Sequence, residues 1–211
     1  MDDFSILDER IDVALKELKV INKYLGGIST TRTALKYFSN AENQGLKILD
    51  IGSGSSDNLI AARRKYSKLQ IISIDKNIRA LSSSKNFLSK INSDAFHLPV
   101  KNKSCDIIHT ALFIHHFTEE QIQILLKEFL RICKKGIIIN DLQRSFLALW
   151  GIKILTFLFS KSEMVKNDAP LSVKRGFTKP ELLKLFSSDS SSKIIIKKKW
   201  AFRWMVVIKN D

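Results

Sequence analysis

Apolar positions in the first part of the chain follow a helical period. They recur at helical spacing between residues 5 and 25, and Gly26-Gly27 ends the pattern, with Gly26 placed to adopt a left-handed conformation. A second helix is predicted from about residue 30 to residue 38, followed by a polar loop that ends at Gly45. No strand precedes Lys47, so both helices are predicted to pack on the core that follows, or over its ligand.

From Lys47 onward, short apolar runs alternate with amphipathic segments. Thr118 is the natural N-cap of the longest of these helices. Five strands are predicted at 48–51, 69–75, 90–92, 106–110 and 135–141, with helices at 59–64, 77–88 and 119–133. The alternation predicts an α/β fold with a parallel sheet and helices on both faces.

The last third of the chain opens with an apolar run at 146–159, which is too short for a membrane span and predicts a core or lid helix. Residues 160–178 are mixed in character and are predicted to form a loop with a turn at Asp168-Ala169-Pro170. Pro180 opens a short helix. After a serine-rich linker, two strands at 193–199 and 204–209 are predicted to form an antiparallel hairpin.

Length and composition indicate one domain of 211 residues, with 45% apolar and 27% charged residues. Within it we distinguish an N-terminal helical cap at 1–44, a ligand-binding core at 45–142, a substrate or lid region at 143–192 and a terminal hairpin at 193–211. Cys105 and Cys133 lie far apart in apolar contexts, which favours reduced core residues. With no secretory signal and no apolar run near 20 residues, a cytoplasmic protein without a membrane span is expected.

The net charge of +14 raises the question of an anionic partner. Lysines far outnumber arginines, and aromatic residues are not interleaved with the basic runs. This pattern favours a solvated lysine-rich surface over a nucleic-acid interface, which stays open as the alternative.

The stretch from Lys47 to Asn58 combines a buried strand, two glycines one residue apart and the start of a helix. Gly52 and Gly54 allow the chain to reverse and the backbone to approach a ligand, as in nucleotide-binding βαβ units. Asp75 ends the second strand, 21 residues after Gly54, where a carboxylate can accept both hydroxyls of a ribose. Glycine loop and acid together predict a nucleoside ligand.

The chemistry of the loop narrows the choice of nucleoside. Asp57 stands where a dinucleotide-binding loop has its third glycine, and a carboxylate there would repel a pyrophosphate. No Gly-Lys-Ser/Thr follows, which excludes a P-loop. An acidic, serine-rich loop instead suits a cationic ligand such as S-adenosylmethionine, which carries a sulfonium and an ammonium group.

Four segments in order resemble the motifs of class I S-adenosylmethionine-dependent methyltransferases. They are Leu49–Ser55, Ile72–Asp75, Ser93–Ala95 with Leu98-Pro99, and Cys105–Ile108 with Leu112–Phe117. The last is similar to the Leu-His-His segment of ubiquinone/menaquinone-biosynthesis-type enzymes, and residues 140–177 resemble small bacterial secondary-metabolite methyltransferases. The resemblance covers about residues 45–142 and implies a seven-stranded, Rossmann-like, mostly parallel sheet whose antiparallel seventh strand lies beside the fifth.

The resemblance also implies how the methionine part of the cofactor would be bound. Asp50 would orient its ammonium group, and the loop Gly52-Ser53-Gly54 would let the backbone approach it. Ala111 and Leu112 would border the sulfonium. The family's common third glycine is replaced by Ser56, which puts the fine detail of this pocket in doubt.

For the adenosine part, Asp75 would hold the ribose hydroxyls, with Lys76 or Asn77 beside the adenine. Asp94 would accept from the adenine amino group, and Ala95 would donate its backbone N–H. No metal ligand is assigned.

Candidates for chemistry and acceptor binding follow the fourth and fifth strands. His115 and His116 are candidate general bases, since a histidine takes a proton near neutral pH, with helix packing or capping as the alternative role. Asp141 and Arg144 are candidate substrate contacts. The apolar run at 146–159 would supply a wall or lid, which implies a small hydrophobic or aromatic acceptor, with core packing as the alternative.

Two other classes of function remain. Methylation of RNA or protein is one, although the segment His109–Phe113 lacks the Asn/Asp-Pro-Pro-Tyr/Phe pattern of base amino-group methylation. The other is a non-catalytic S-adenosylmethionine-binding protein with the same fold. The oligomeric state is not predicted.

Overall fold

The computed structural model describes residues 9–38, 45–85, 88–186 and 192–210. Its centre is a seven-stranded sheet of order β3-β2-β1-β4-β5-β7-β6. The strands are β1 (Lys47–Ile51), β2 (Gln70–Asp75), β3 (Ser89–Asn92), β4 (Cys105–Ala111), β5 (Cys133–Leu142), β6 (Ser192–Lys199) and β7 (Arg203–Asn210). β1 to β5 run parallel, and β7 lies antiparallel between β5 and β6. The predicted fold class is confirmed, including the antiparallel strand beside the fifth.

Helices cover both faces of the sheet and extend beyond its carboxyl edge. They are α1 (Glu9–Tyr24), α2 (Gly27–Leu35), α3 (Asp57–Ala62), α4 (Ile78–Ser82), α5 (Glu119–Ile132), α6 (Phe146–Phe159), α7 (Glu163–Arg175) and α8 (Lys179–Phe186), with a short 3₁₀ helix at Ile114–His116. Thr118 forms a reciprocal capping box with Gln121, which confirms it as the N-cap of α5.

The core is divided by the sheet into two apolar clusters. Side chains of β7 alternate between them: Trp204 and Val206 belong to the cluster under α5 and α8, whereas Met205 and Val207 face α2 and α3. This alternation follows from the period of two along a strand. Both faces of β7 are therefore buried, as in the interior of a sheet covered on both sides.

The strand order reverses between β1 and β4. The chain builds outward from β1 to β2 and β3, then returns to place β4 on the other side of β1. In open sheets of this kind, ligands bind in the crevice outside the carboxyl ends of the strands at such a switch point.

The largest error in the sequence prediction concerns residues 160–178. They form helix α7, which contains Pro170, rather than a loop with a turn at residues 168–170. Ser162 caps the helix by accepting from Val165 N–H. Val173 packs with Ala148 and Ile152 of α6, so tertiary burial outweighs the cost of a proline inside the helix.

Smaller differences concern helix ends. Gly26 has a left-handed φ of 78° as expected, but α2 begins already at Gly27. α3 begins at Asp57, and α4 ends at Ser82 rather than near residue 88. The predicted loop at 39–44, the linker at 187–191 and the first eight residues lie outside the described residues.

Cys105 and Cys133 are neighbours on β4 and β5, both buried and both free. Burial raises the pKa of the Cys105 thiol to about 12. The prediction of reduced core cysteines is confirmed. Over the described ranges, no helix combines the length and apolar character needed to cross a membrane.

Candidate active site

A deep cleft with a volume of about 1190 Å³ opens at the carboxyl ends of β1, β2 and β4. One wall, which we call the strand-end wall, consists of the loop at 52–57 and the ends of these strands. The other, the helical wall, consists of side chains from α1, α6, α7 and the β6–β7 turn. The two walls differ in chemistry.

The glycine loop of the strand-end wall requires residues without a Cβ. Gly52 has φ of 63°, and a Cβ there would lie 2.1 Å from the Phe113 ring. Gly54 has φ of 49°, but a Cβ there would meet no atom within 4 Å. Gly52 is therefore needed for packing within the protein. Gly54 instead leaves open space on the cleft side, as a ligand cradle requires.

Ser56 occupies the place of the family's third glycine and takes a glycine-like conformation. Its φ is 56°, and its hydroxyl forms a 2.7 Å hydrogen bond with the Ser73 hydroxyl. The loop thus keeps a left-handed residue here, and the buried serine pair offsets part of its strain.

Asp75 joins the glycine loop to the end of β2. Its carboxylate accepts the Gly54 N–H at 2.7 Å and the Asn77 N–H at 2.8 Å. Burial raises the pKa of Asp75 and the nearby Asp50 charge adds to this, while the backbone donors Gly54, Asn77 and Lys76 oppose it. Each oxygen keeps a lone pair for a further donor.

Asp94 lies at the far end of the same wall, after β3. It accepts the Phe96 N–H at 3.0 Å and pairs with Lys76 Nζ at 2.9 Å. The Lys76 hydrogen bond lowers the pKa of Asp94. Asp94, Ala95 and Lys76 all line the cleft, so the structure brings these predicted cofactor residues together.

Asp50 is buried beneath the loop rather than extended into the cleft. Its carboxylate bonds His109 Nδ1 at 2.7 Å, and His109 Nε2 lies 2.9 Å from the Thr31 hydroxyl. Asp50, His109 and Thr31 are each at most 3% exposed. Asp50 is thus an anchor of a buried network as well as a residue of the cleft wall.

This buried network continues to the N-terminal helices. Asn140 of β5 donates to Thr31 Oγ1 and to the Gly27 carbonyl. Arg203 of β7 donates to the Asn140 side chain, to the Leu25 carbonyl and to Asn22 Oδ1. Burial lowers the pKa of Arg203 to about 10, although the Asp141 charge opposes this. The network therefore ties α1 and α2 to the sheet.

His115 and Asp141 form a second buried pair. Asp141 Oδ1 bonds His115 Nδ1 at 2.6 Å, and its other oxygen accepts the Ile114 N–H at 2.9 Å. Burial works to raise the pKa of Asp141, but His115 and the backbone donors hold it below its ordinary value. An ionised Asp141 places the neutral-histidine proton on Nδ1. His115 Nε2 is buried at the cleft wall with no hydrogen-bond partner among the described residues.

His116 is more exposed and stacks on its neighbour. The two imidazole rings lie 4.2 Å apart, centroid to centroid. Both histidines line the cleft, as do Ala111 and Leu112 at the end of β4.

Neither predicted substrate contact reaches the cleft wall. Asp141 is 1% exposed and lies beneath His115, so it orients that histidine instead. Arg144 turns away and pairs with Glu181 of α8. Both assignments as direct substrate contacts are therefore corrected by the geometry.

The helical wall is mainly apolar. Leu147, Ile152 and Leu155 of α6 line the cleft together with Leu171 and Val173 of α7. Helix α1 adds Lys19, whose ammonium pairs with Asp57 at 2.7 Å across the glycine loop. The N-terminal helix thus reaches over the predicted ligand site.

Three residues of the buried network were missed from the sequence: His109, Asn140 and Arg203. Each is a polar residue within a strand, where apolar residues are the rule. That signal was visible at His109, but its partners could not be found because they lie on separate elements.

Comparison with known proteins agrees with the geometry. Residues 48–136 match the family model described as methyltransferase domain. A methyltransferase of Aquifex aeolicus, described as S-adenosylmethionine-dependent, has a similar structure, with TM-score 0.66, 15% identity and coverage of 94% of this chain and 97% of that one. The plantazolicin methyltransferase BpumL in complex with S-adenosylhomocysteine has a TM-score of 0.71 and 16% identity, with coverage of 94% of this chain and 90% of that one. Magnesium protoporphyrin IX methyltransferase of Synechocystis PCC 6803 has a TM-score of 0.61 and 13% identity, with coverage of 88% of this chain and 84% of that one. No curated protein matches the sequence significantly.

Residues 48–136 of this chain therefore form a methyltransferase domain, and the chain shares its fold with S-adenosylmethionine-dependent methyltransferases. The chain is an enzyme, and S-adenosylmethionine is the cofactor that its methyltransferase domain implies. The donor set fits that group, because an open glycine cradle, a carboxylate with free lone pairs and an acidic loop lie together on one wall.

Proposed function

We propose that this enzyme methylates a small, hydrophobic or aromatic acceptor that carries a dissociable proton. The observation that carries the proposal is the pairing of an apolar wall with the unpartnered Nε2 of His115 in one cleft. Bound S-adenosylmethionine supplies an electrophilic methyl group.

The strand-end wall would hold the cofactor. Asp75 would accept the ribose hydroxyls, and Asp94 with the Ala95 N–H would bind the adenine edge beside Lys76. The Asp94–Lys76 ion pair is solvent-exposed, so its rearrangement on binding costs little.

The loop Gly52-Ser53-Gly54 would approach the methionine part, and Asp50 would balance its ammonium group. Ala111 and Leu112 would border the reacting centre. Support for this arrangement comes from the open side of Gly54 and from the position of these residues on the same cleft.

The helical wall, formed by α1, α6, α7 and the β6–β7 turn, would bind the acceptor. Apolar side chains of α6 and α7 can exclude water and orient an apolar molecule. Two of the similar structures belong to proteins named for plantazolicin and for magnesium protoporphyrin IX. These names accord with a small acceptor here.

His115 would act as the general base. Asp141 holds its Nδ1–H, so the lone pair of Nε2 is available to take a proton from the acceptor. Asp141 is then a positioning residue, which keeps the imidazole in one tautomer. His116, stacked at the entrance side, would not be needed for the proton transfer.

The test is transfer of labelled methyl from S-adenosylmethionine to a panel of phenolic and lipid-like acceptors, with bulk RNA as a separate arm. With an accepted substrate, His115→Ala should lower kcat by about 10²–10⁴-fold while leaving cofactor affinity unchanged. His116→Ala is the matched control and should stay within about tenfold of wild type. Equal losses in both variants would overturn the assignment of the base, and label in RNA alone would overturn the acceptor class.

A further inference from the structure

Helix α6 exposes most of its apolar surface. Phe157 and Phe159 are 79% and 76% exposed, and Trp150 is 52% exposed. Only Ala148, Ile152 and Thr156 of this helix are buried. A continuous apolar surface of this size on an isolated chain marks an interaction site, because water contact with it is unfavourable.

The exposed surface adjoins the cleft. Leu147 and Leu155 are both exposed and line the cleft wall, so α6 separates the cleft from the outside by a single helix. Trp200, in the β6–β7 turn, is 74% exposed and belongs to the same cleft lining. The apolar surface thus surrounds the entrance.

The charges around α6 are basic. Residues 143–175, which include α6 and the helix α7 packed on it, contain six lysines or arginines and two acids, Glu163 and Asp168. Glu163 is paired with Lys166, and Arg144 is paired with Glu181 of α8. Lys153 Nζ lies 5.8 Å from the centre of the Trp150 ring, and Lys198 and Lys199 precede Trp200. One acid of α1, Glu17, contacts the end of α6, where it accepts the Lys161 N–H. The partner that complements this surface is apolar and negatively charged.

The length of α6 and the net charge of the chain decide which of the possible partners fits this surface. A helix of 14 residues is about 21 Å long, which is shorter than the roughly 30 Å hydrocarbon core, so α6 can lie along a bilayer surface but cannot span it. A second copy of the chain, with its own net charge of +14, would bring like charges together. An anionic lipid surface meets both requirements, and aromatic residues with lysines are typical of interfacial helices.

We propose that α6 and Trp200 dock this enzyme on an anionic lipid bilayer, with the cleft entrance facing the membrane. Phe146, which is 73% exposed, Trp150 and Phe157 lie on the face of α6 opposite its buried residues and insert at the interface, and Lys153 contacts the acidic headgroups. This docking goes beyond the proposed acceptor class and does not depend on methyl transfer.

The experiment is flotation of the full-length chain with vesicles of phosphatidylcholine alone or mixed with phosphatidylglycerol. The chain should bind the mixed vesicles, and binding should weaken with added salt. The double variant Phe146→Ser/Phe157→Ser should lower the partition coefficient at least about tenfold. Lys153→Ala should lower it about fivefold.

A matched control removes two exposed apolar residues elsewhere on the surface. Ile124→Ser/Leu183→Ser changes α5 and α8, neither of which lines the cleft, and should bind vesicles as wild type does. Because all four side chains are exposed, circular dichroism should show that both double variants fold. Absence of binding to anionic vesicles would overturn the proposal. Equal loss in the control would also overturn it, as would a concentration-dependent dimer that forms without vesicle binding and is lost in the phenylalanine variant.

Discussion

The two walls of the cleft are stabilised in different ways. The strand-end wall is held by short backbone hydrogen bonds, such as those from Gly54 and Asn77 to Asp75, on a rigid sheet edge. In the helical wall, α6 and α7 pack on one another through a small apolar cluster around Ile152 and Val173, and Leu25, directly after α1, packs against it. Local backbone geometry therefore defines the first wall, whereas contacts between distant segments define the second.

This difference in structure matches a difference in the roles proposed for the two walls. The strand-end wall would hold the cofactor, and a rigid preformed wall suits that role. The helical wall would bind the acceptor, and its apolar side chains can vary without disturbing the sheet. The Arg203–Asn140 network joins the two walls: Arg203 bonds the Leu25 carbonyl beside α1, and Asn140 continues through Thr31 to His109 and Asp50.

The largest expected difference between the walls is in the free energy of unfolding when one glycine of each wall is replaced by alanine. Gly52→Ala adds a Cβ at positive φ against Phe113, and should lower the free energy of unfolding by about 3 kcal/mol. Gly151→Ala, inside α6, adds a Cβ that meets no atom within 4 Å, and should raise the free energy of unfolding by up to about 1 kcal/mol. Urea unfolding measures both. Similar destabilisation of the two variants would show that the walls are equally constrained.

The next effect tests the connection between the walls. Arg203→Met removes three hydrogen-bond donors, so the Leu25 carbonyl and Asn140 Oδ1 lose the donors that Arg203 supplies. This should lower the free energy of unfolding by roughly 3 kcal/mol. Since α1 would loosen, proteolysis should begin in the N-terminal helices before the sheet unfolds. Limited proteolysis with mass spectrometry checks this. Cleavage unchanged from wild type would mean that packing alone holds α1 in place.

Much of the strand-end wall was predictable from sequence because its determinants are local. The two glycines and the acids Asp75 and Asp94 follow from patterns within a few residues, whereas the place of the antiparallel strand beside the fifth was implied by the family resemblance. Asp50 was assigned only a ligand role, because its partner His109 lies 59 residues away.

The helical wall was not predictable to the same degree. The apolar run of α6 was recognised, but α7 was taken for a loop because Pro170 is a strong local signal against a helix. Arg144 was placed near the substrate, whereas the position of Glu181, 37 residues later, turns it outward. Contacts between distant segments decided each of these cases.

A smaller effect concerns pH and the strand-end wall. Burial raises the pKa of Asp75 above its ordinary 3.8, and the ionised carboxylate is the better acceptor for ribose hydroxyls. Affinity for S-adenosylhomocysteine should therefore be constant at neutral pH and fall as pH decreases toward the raised pKa, before an ordinary aspartate would protonate. Calorimetry between pH 8 and about 5 measures this, and Asp75→Asn should flatten the profile. A profile in Asp75→Asn identical to wild type would assign the titration to another group.

The most direct test of the account is the affinity for S-adenosylmethionine and S-adenosylhomocysteine of Asp75→Ala, measured by titration calorimetry. The control is Asp106→Asn, which changes an acid of the same sheet at the opposite edge, where it accepts the Lys47 N–H. We predict that Asp75→Ala weakens binding of both ligands by roughly 1–3 kcal/mol and that Asp106→Asn leaves it unchanged. Unchanged affinity in Asp75→Ala, or an equal loss in Asp106→Asn, would contradict the assignment of the strand-end wall as the cofactor site.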